Sequence, residues 1–268
     1  MQRECEKLGL GKKPEKFSDH KQRLKAYDEA DYILCPSEFV KRSFVLNGFP
    51  SDRLIKVNFG IPFVKLNEIN RQKNSDVFRL LYVGQLHYRK GLRYAIEAFN
   101  KLKHPRKEFI IVGPKTSQTG LERTSIHAGI TFTGPLKGEA LKEQYLRASV
   151  FVLPSLEEGL ALVQGEALSF GLPLIITTNT GGDDLIKDGI EGFIVQPGEI
   201  LPLANRLQQL ADDKNLLKHM SEAALKAADT IGNWELAAKK LISELSKIMN
   251  LSTSNEGNAT SQFQYVSV

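Results

Sequence analysis

From Phe78 onward the chain alternates short apolar runs with stretches whose apolar residues recur every three or four positions. The runs Phe78–Val83, Phe109–Val112, Ile130–Thr133, Val150–Leu153, Leu174–Thr177 and Phe193–Val195 have strand length and are mostly apolar. Strands of that kind are covered on both faces. Leu92–Leu102, Glu139–Ala148 and Leu160–Phe170 carry the helical period that would cover them. The pattern predicts an α/β fold, a doubly wound parallel sheet. After Gly198 only helical spacing remains, over Leu201–Leu210, Leu216–Ala228 and Trp234–Met249.

Upstream, Tyr32–Cys35 reads as a buried strand and Ser37 as the cap of a helix from Glu38 to about Asn47, ended by Gly48. Leu54–Phe59 reads as another strand. Residues 1–30 are polar, with helical spacing at Leu24, Tyr27 and Ala30; Gly9-Leu10-Gly11 follows no strand and reads as a loop. The chain divides near residue 70. Residues 1–70 are too short for a domain, so their strands either join a sheet encoded elsewhere or pack on the main unit. Residues 71–250 form the parallel-sheet domain, and 251–268, rich in Ser, Thr, Asn and Gly, are expected to be disordered.

Composition narrows the class. With 268 residues, 41% hydrophobic and 25% charged, the chain can bury a sizeable core. Two cysteines, Cys5 and Cys35, make no disulfide framework and point to a reduced, cytoplasmic setting. The net charge of +5 suits a phosphate-bearing partner, a nucleotide or an anionic membrane surface touched peripherally at its inner face. The basic residues are spread along the chain and match no nucleic-acid motif, so no nucleic-acid partner is expected. The charged start is no signal peptide, and no apolar run approaches the ~18 residues of a membrane span. His20, His104, His127 and His219 lack ligand-like spacing, so no metal site is expected.

Ligands of an open parallel sheet gather at the carboxyl ends of its strands. The first run exits into Gly84-Gln85-Leu86-His87-Tyr88-Arg89-Lys90-Gly91 and then a helix. Gly84 lets the backbone turn. Arg89 and Lys90 set two cations before a helix N-terminus, whose free N–H groups already favour anions. A diphosphate fits there; a solvated basic turn is the plain alternative. The fourth run exits through Pro154, Ser155 and Leu156 to Glu158, with Glu166 eight residues on. If both acids are helical, their side chains project within about 80° of each other. Carboxylates accept hydrogen bonds from paired hydroxyls, as a ribose or a sugar presents them. Ala167, Leu168 and Phe170 predict a buried helix, in which Glu166 needs a partner.

Together the two loops resemble the nucleotide-sugar domain of retaining GT-B-type glycosyltransferases of glycosyltransferase family 4, the glycogen-synthase-like group. The resemblance runs from about Tyr27 to Met249. Ala30–Phe39 looks like the last strand and helix of that family's acceptor domain, and Asn58-Phe59-Gly60-Ile61 like the start of its interdomain linker. Gly134-Pro135-Leu136, Phe151–Ser155, Glu158–Glu166, Gly171-Leu172-Pro173, Gly181-Gly182 and Asp188-Gly189 follow in family order. The resemblance implies that Lys90, with Arg89, neutralises a diphosphate leaving group. It implies that Glu158 meets the donor sugar, Glu166 the ribose, and backbone at Leu136 the base. Gly84, Gln85 and the amides of Gly159, Leu160, Ala161 and Leu162 would complete the donor site. The implied activity is hexosyl transfer from a nucleoside-diphosphate sugar with retention, without a cofactor or an obligatory metal.

Three positions depart from the family pattern. Gln85 stands where an arginine is usual, and a neutral amide cannot replace a bidentate guanidinium on phosphate. Ala161 stands where many members have Gly, and Gly165 where many have Leu. The sequence lacks most of the family's acceptor domain, so it is expected to be a fragment, a truncated open reading frame, or one half of a split enzyme whose partner is a separate acceptor-domain chain. A non-catalytic nucleotide-sugar-binding module needing a partner chain is the alternative reading, and a sugar-nucleotide epimerase a third that fits the glutamate spacing less well. The final helix, opened by Trp234, crosses back to the first domain in the family; packing on its own domain is the equal alternative.

Overall fold

The structure is a computed structural model and describes residues 17–61, 76–122 and 124–255. The Gly9-Leu10-Gly11 loop, most of the linker and the tail beyond Asn255 lie outside the described residues.

Six strands form one parallel sheet: β3 (Phe78–Val83), β4 (Lys107–Val112), β5 (Ile130–Gly134), β6 (Val150–Leu153), β7 (Leu174–Thr177) and β8 (Gly192–Val195). Their order across the sheet is β5-β4-β3-β6-β7-β8. The chain winds outward from β3 in one direction, then returns and winds outward from β6 in the other. The reversal leaves a crevice between the carboxyl ends of β3 and β6. Every residue of β3, β6 and β7 is buried, as near-continuous apolar strands require.

Helices cover both faces. α3 (Leu92–Lys101) packs against α6 (Ile200–Asp212). α4 (Gly138–Arg147) contacts β3, while α5 (Leu162–Ser169) packs on β6 and β7 and against α7 (Lys214–Ile231). Leu80, Phe99, Phe109, Phe151, Leu153 and Leu168 are among the side chains sealed between these layers. Burying each such residue contributes about 1.5–3 kcal/mol. No helix among the described residues is long and apolar enough to cross a membrane.

The upstream strands form a sheet of their own. β1 (Ile33–Cys35) pairs in parallel with β2 (Leu54–Lys56), and neither joins the larger sheet. α1 (Phe17–Glu29) and α2 (Glu38–Leu46) accompany them, and Tyr27, Phe44 and Phe49 meet edge to face. This unit rests on the main domain through polar contacts. Arg42 pairs with Asp183 at 2.8 Å. Asp184 accepts the Glu38 amide at 2.5 Å and the Lys56 ammonium at 2.8 Å. Its side chain is only 10% exposed, so the bond from the Glu38 amide is part-buried, while the Lys56 ammonium stays open to water. Asp184→Ala should cost about 2 kcal/mol, the usual loss for hydrogen bonds to a charged group. Hydrogen exchange should then quicken at β1 and β2 while β3 to β7 keep their protection; equal protection in all of them would show that Asp184 does not hold the contact.

Several predicted boundaries move. β2 stops at Lys56, short of Phe59, although the Val57 amide still donates to Cys35 O at 3.1 Å. The helix expected from Leu160 starts at Leu162, because Ala161 is extended (φ −82°, ψ 119°). Two tertiary bonds hold that preceding segment: the Glu158 amide to Asn179 O at 2.7 Å, and Ser37 Oγ to Gly159 O at 2.5 Å. The final helix, α8 (Trp234–Asn255), continues past Ser252, where composition predicts disorder. Gly165 is explained by packing: a β-carbon there would run into the side chain of Ile61.

Candidate active site

The site lies where the sheet order reverses. After β3 the chain leaves through Gly84 and closes a short 3-10 turn at Tyr88–Lys90, with Gly91 leading into α3. The loop is braided to the exit of β4. Leu86 N donates to Pro114 O at 2.9 Å, Tyr88 N to Gln118 O at 2.9 Å, and Thr116 Oγ1 to Leu86 O at 2.7 Å. It is also tied across the crevice, since Leu156 N donates to Arg89 O at 2.8 Å. Gly91 is left-handed (φ 66°) and lies against the Pro154 carbonyl, with no room for a β-carbon.

This closure brings Lys90 and Glu158 together. The two residues are 68 positions apart in sequence, and the ammonium donates to Glu158 Oε2. Their side chains are 15% and 16% exposed, so the pair is largely shielded from water. A shielded pair keeps most of its Coulomb attraction but loses hydration, and removing one partner strands the other. Tyr82 lies beneath it. Its buried hydroxyl donates to Gln85 O at 2.8 Å. Burial pushes that hydroxyl far above its usual pKa, and the Glu158 charge pushes it further.

Around this pair stand groups suited to an anion. Among the described residues no group accepts from the amides of Gly159, Leu160, Ala161, Leu162 and Val163 at the mouth of α5. The dipole of α5 adds positive potential at the same place. The Arg89 guanidinium makes no ion pair among the described residues. Gln85, standing where a guanidinium would be useful, is exposed, and among the described residues only its carbonyl is engaged. Leu136, on the turn between β5 and α4, is half-buried against the core.

His87 caps the 3-10 turn, its Nδ1 accepting the Arg89 amide at 3.2 Å. Burial holds the ring below its usual pKa, the Arg89 and Lys90 charges act in the same direction, and a bond with Gln118 opposes them. The stability it contributes is complete above about pH 6.5 and is lost as pH falls through the lowered folded value.

Glu166 lies on α5, and its partner comes from α4. Tyr145 donates its hydroxyl to Glu166 Oε2 at 2.8 Å. The structure therefore unites Lys90, Arg89 and Glu158 at one crevice, and gives Glu166 a tyrosine partner beside it on the α4–α5 face. Glu158 is in the loop and not the helix, so the helical angle expected between the two acids does not apply. Sequence reading missed Tyr82, Tyr145 and Ser37 as parts of this region. For the two tyrosines the usable signal was a phenol at a position that the element's period buries, where a hydroxyl must find a partner.

The comparisons agree with this architecture. Residues 65–227 match the family model for glycosyl transferases group 1. Sulfoquinovosyl transferase SQD2 of Arabidopsis thaliana is 28% identical over 80% of this chain and 44% of its own length. Glycogen synthase of Mycobacterium tuberculosis is 31% identical over 63% of this chain and 42% of its own. The amylovoran biosynthesis glycosyltransferase AmsK of Erwinia amylovora is 26% identical over 87% and 60%. The chain thus spans from 42% to 60% of the length of these relatives. Among solved structures, Anabaena HepE in complex with UDP and glucose superposes with a TM-score of 0.73 at 19% identity, over 87% of this chain and 69% of that one. Sucrose-phosphate synthase from Thermosynechococcus elongatus gives 0.74 at 19%, over 91% and 65%. The fold is the Rossmann-like half of a GT-B glycosyltransferase, and the chain belongs to the glycosyl transferases group 1 family.

Proposed function

We propose that this chain is the donor-binding half of a glycosyltransferase, moving a hexosyl group from a nucleoside-diphosphate sugar with retention at the anomeric carbon. The observation that carries the reading is the sheltered Lys90–Glu158 pair beside the open amides of α5. When the anomeric C–O bond breaks, its electron pair goes to the departing diphosphate. Lys90, Arg89 and the amides of Gly159–Leu162 are placed to offset that charge without a metal ion. Fixed donors of this kind are worth about 2.7–4 kcal/mol each in a dry cleft. Glu158 accepts from the donor sugar's hydroxyls, Glu166 from the ribose, and the base lies at Leu136. The acceptor wall comes from the rest of the family architecture, in the same polypeptide or a separate chain, working in the cytoplasm.

HepE has been seen with UDP and glucose, which makes UDP-glucose the first donor to test. Thermal denaturation of the full chain against UDP-, GDP- and ADP-sugars checks the reading. A ligand at about 100 times its Kd adds about 2.7 kcal/mol to native stability, so one nucleotide should raise the melting point clearly. No shift with any of them sinks the assignment. A diphosphate at Arg89 and Lys90 would also screen the cations that depress His87. NMR titration should find the His87 ring midpoint higher with UDP bound than without it, and an unmoved midpoint would count against contact at this loop.

A second reading, a non-catalytic nucleotide-sugar-binding module, is favoured by Gln85, whose neutral side chain supplies no charge to the leaving group. Transfer and hydrolysis assays with the acceptor half added separate the two: binding without turnover selects the module.

A further inference from the structure

Tyr145 is 2% exposed, yet it carries a hydroxyl that must be satisfied. That hydroxyl does not turn to the backbone of its own helix. It crosses from α4 to α5 and meets Glu166 Oε2 at 2.8 Å. Two neighbouring rings fix the phenol in this direction. It stacks on Phe170 at 5.0 Å with the planes 2° apart, and lies 6.3 Å from the Phe151 ring on β6. Burial, and then the neighbouring Glu166 charge, keep the phenol protonated, so it remains a donor across neutral pH.

Glu166 is half-buried and, among the described residues, pairs with no cation. Its other oxygen, Oε1, accepts from none of the described residues. A glutamate has several rotatable bonds, and a half-buried one with a single fixed oxygen presents the second in one direction. Glu158 is different, because a cation neutralises it. One glutamate is therefore charge-paired and the other is aimed.

We propose that Tyr145 is a positioning residue: its hydroxyl fixes the Glu166 carboxylate so that the remaining oxygen accepts from the 2′- and 3′-hydroxyls of the donor ribose, which makes the site select ribonucleotides over deoxyribonucleotides. The proposal rests on the donor-site reading above. Tyr145 does not touch the nucleotide; it acts by holding the group that does. A fixed acceptor loses less freedom on binding than a mobile one, and at metal sites the partners that orient a ligating side chain commonly change affinity by about 10- to 100-fold.

The test is calorimetry on the full chain with UDP, GDP and ADP, then with the 2′,3′-dideoxy form of whichever binds tightest. Wild type should prefer the ribonucleotide. Tyr145→Phe keeps the stacked ring and removes one oxygen; it should weaken the ribonucleotide by about tenfold and leave the dideoxy affinity unchanged. In a Glu166→Ala background the same change should have no further effect on either ligand. If Tyr145→Phe weakens both nucleotides equally, or neither, the positioning role is overturned while the donor site stands. If wild type binds both forms alike, the ribose contact falls and the proposal with it, but diphosphate binding survives. If wild type binds no diphosphate, the donor-site reading itself has failed and carries the proposal down. Should Tyr145→Phe not fold, 3,5-difluorotyrosine at the same position keeps the ring and acidifies the hydroxyl. It should shift ribonucleotide affinity alone, and parallel shifts in both ligands would overturn the proposal.

Discussion

Lys90→Ala is expected to weaken nucleoside-diphosphate binding by roughly 30- to 1,000-fold, or about 2–4 kcal/mol. Two effects add. The diphosphate loses a cation in a shielded crevice, and Glu158, only 16% exposed, loses the partner that offsets its charge. The unpaired carboxylate would then repel the incoming phosphates. The contrast with Glu158→Gln separates this from simple disruption. That variant frees Lys90, so UDP should bind as tightly as to wild type or tighter. The nucleotide sugar should lose the advantage of its sugar contacts. Calorimetry with UDP and UDP-glucose on both variants makes the comparison. If Lys90→Ala bound UDP like wild type, the diphosphate would not lie at this turn and the site assignment would be abandoned. If the diphosphate binds at this turn as proposed, the carboxylate holds the ammonium in place until the diphosphate provides a second anion.

Gly91→Ala should be the most damaging change to the frame of the site. The residue is left-handed at φ 66°, which costs a side-chain-bearing residue about 1–2 kcal/mol. The new methyl would also run into the Pro154 carbonyl, a backbone atom that cannot rotate away. Overpacking of this kind adds about 1–3 kcal/mol. The melting temperature should fall by roughly 5–15 °C. Nucleotide binding should fall with it, because the movement that relieves the clash parts the exits of β3 and β6. Gly189→Ala is the control. It has a similar backbone angle, φ 82°, but nothing within 4 Å of the added carbon. It should show the conformational cost alone and bind nucleotide normally. Equal destabilisation in the two variants would mean that contact with Pro154 contributes nothing.

Both expectations concern one place, where the strand order reverses, and that place was only partly legible from the residues. Alternating apolar runs and helical spacing determined the class, because a strand covered on both faces must be apolar nearly throughout, as β3, β6 and β7 are. Arg89, Lys90 and Glu158 were visible because they interrupt that pattern at strand exits, and Glu166 because it is an acid within a helix whose neighbours predict burial. Periodicity reports which face of an element is buried, but not which elements lie side by side. Only the order β5-β4-β3-β6-β7-β8 sets the first and fourth exits next to each other and closes Lys90 onto a glutamate 68 residues away. The late start of α5 was likewise decided by tertiary bonds, from Ser37 to Gly159 and from Glu158 to Asn179, which hold extended a segment whose own composition permits a helix. Tyr145 reads in the sequence as one more apolar position on α4. Its bond to Glu166 exists because two helices on the same face of the sheet meet there, a long-range fact that no local spacing encodes.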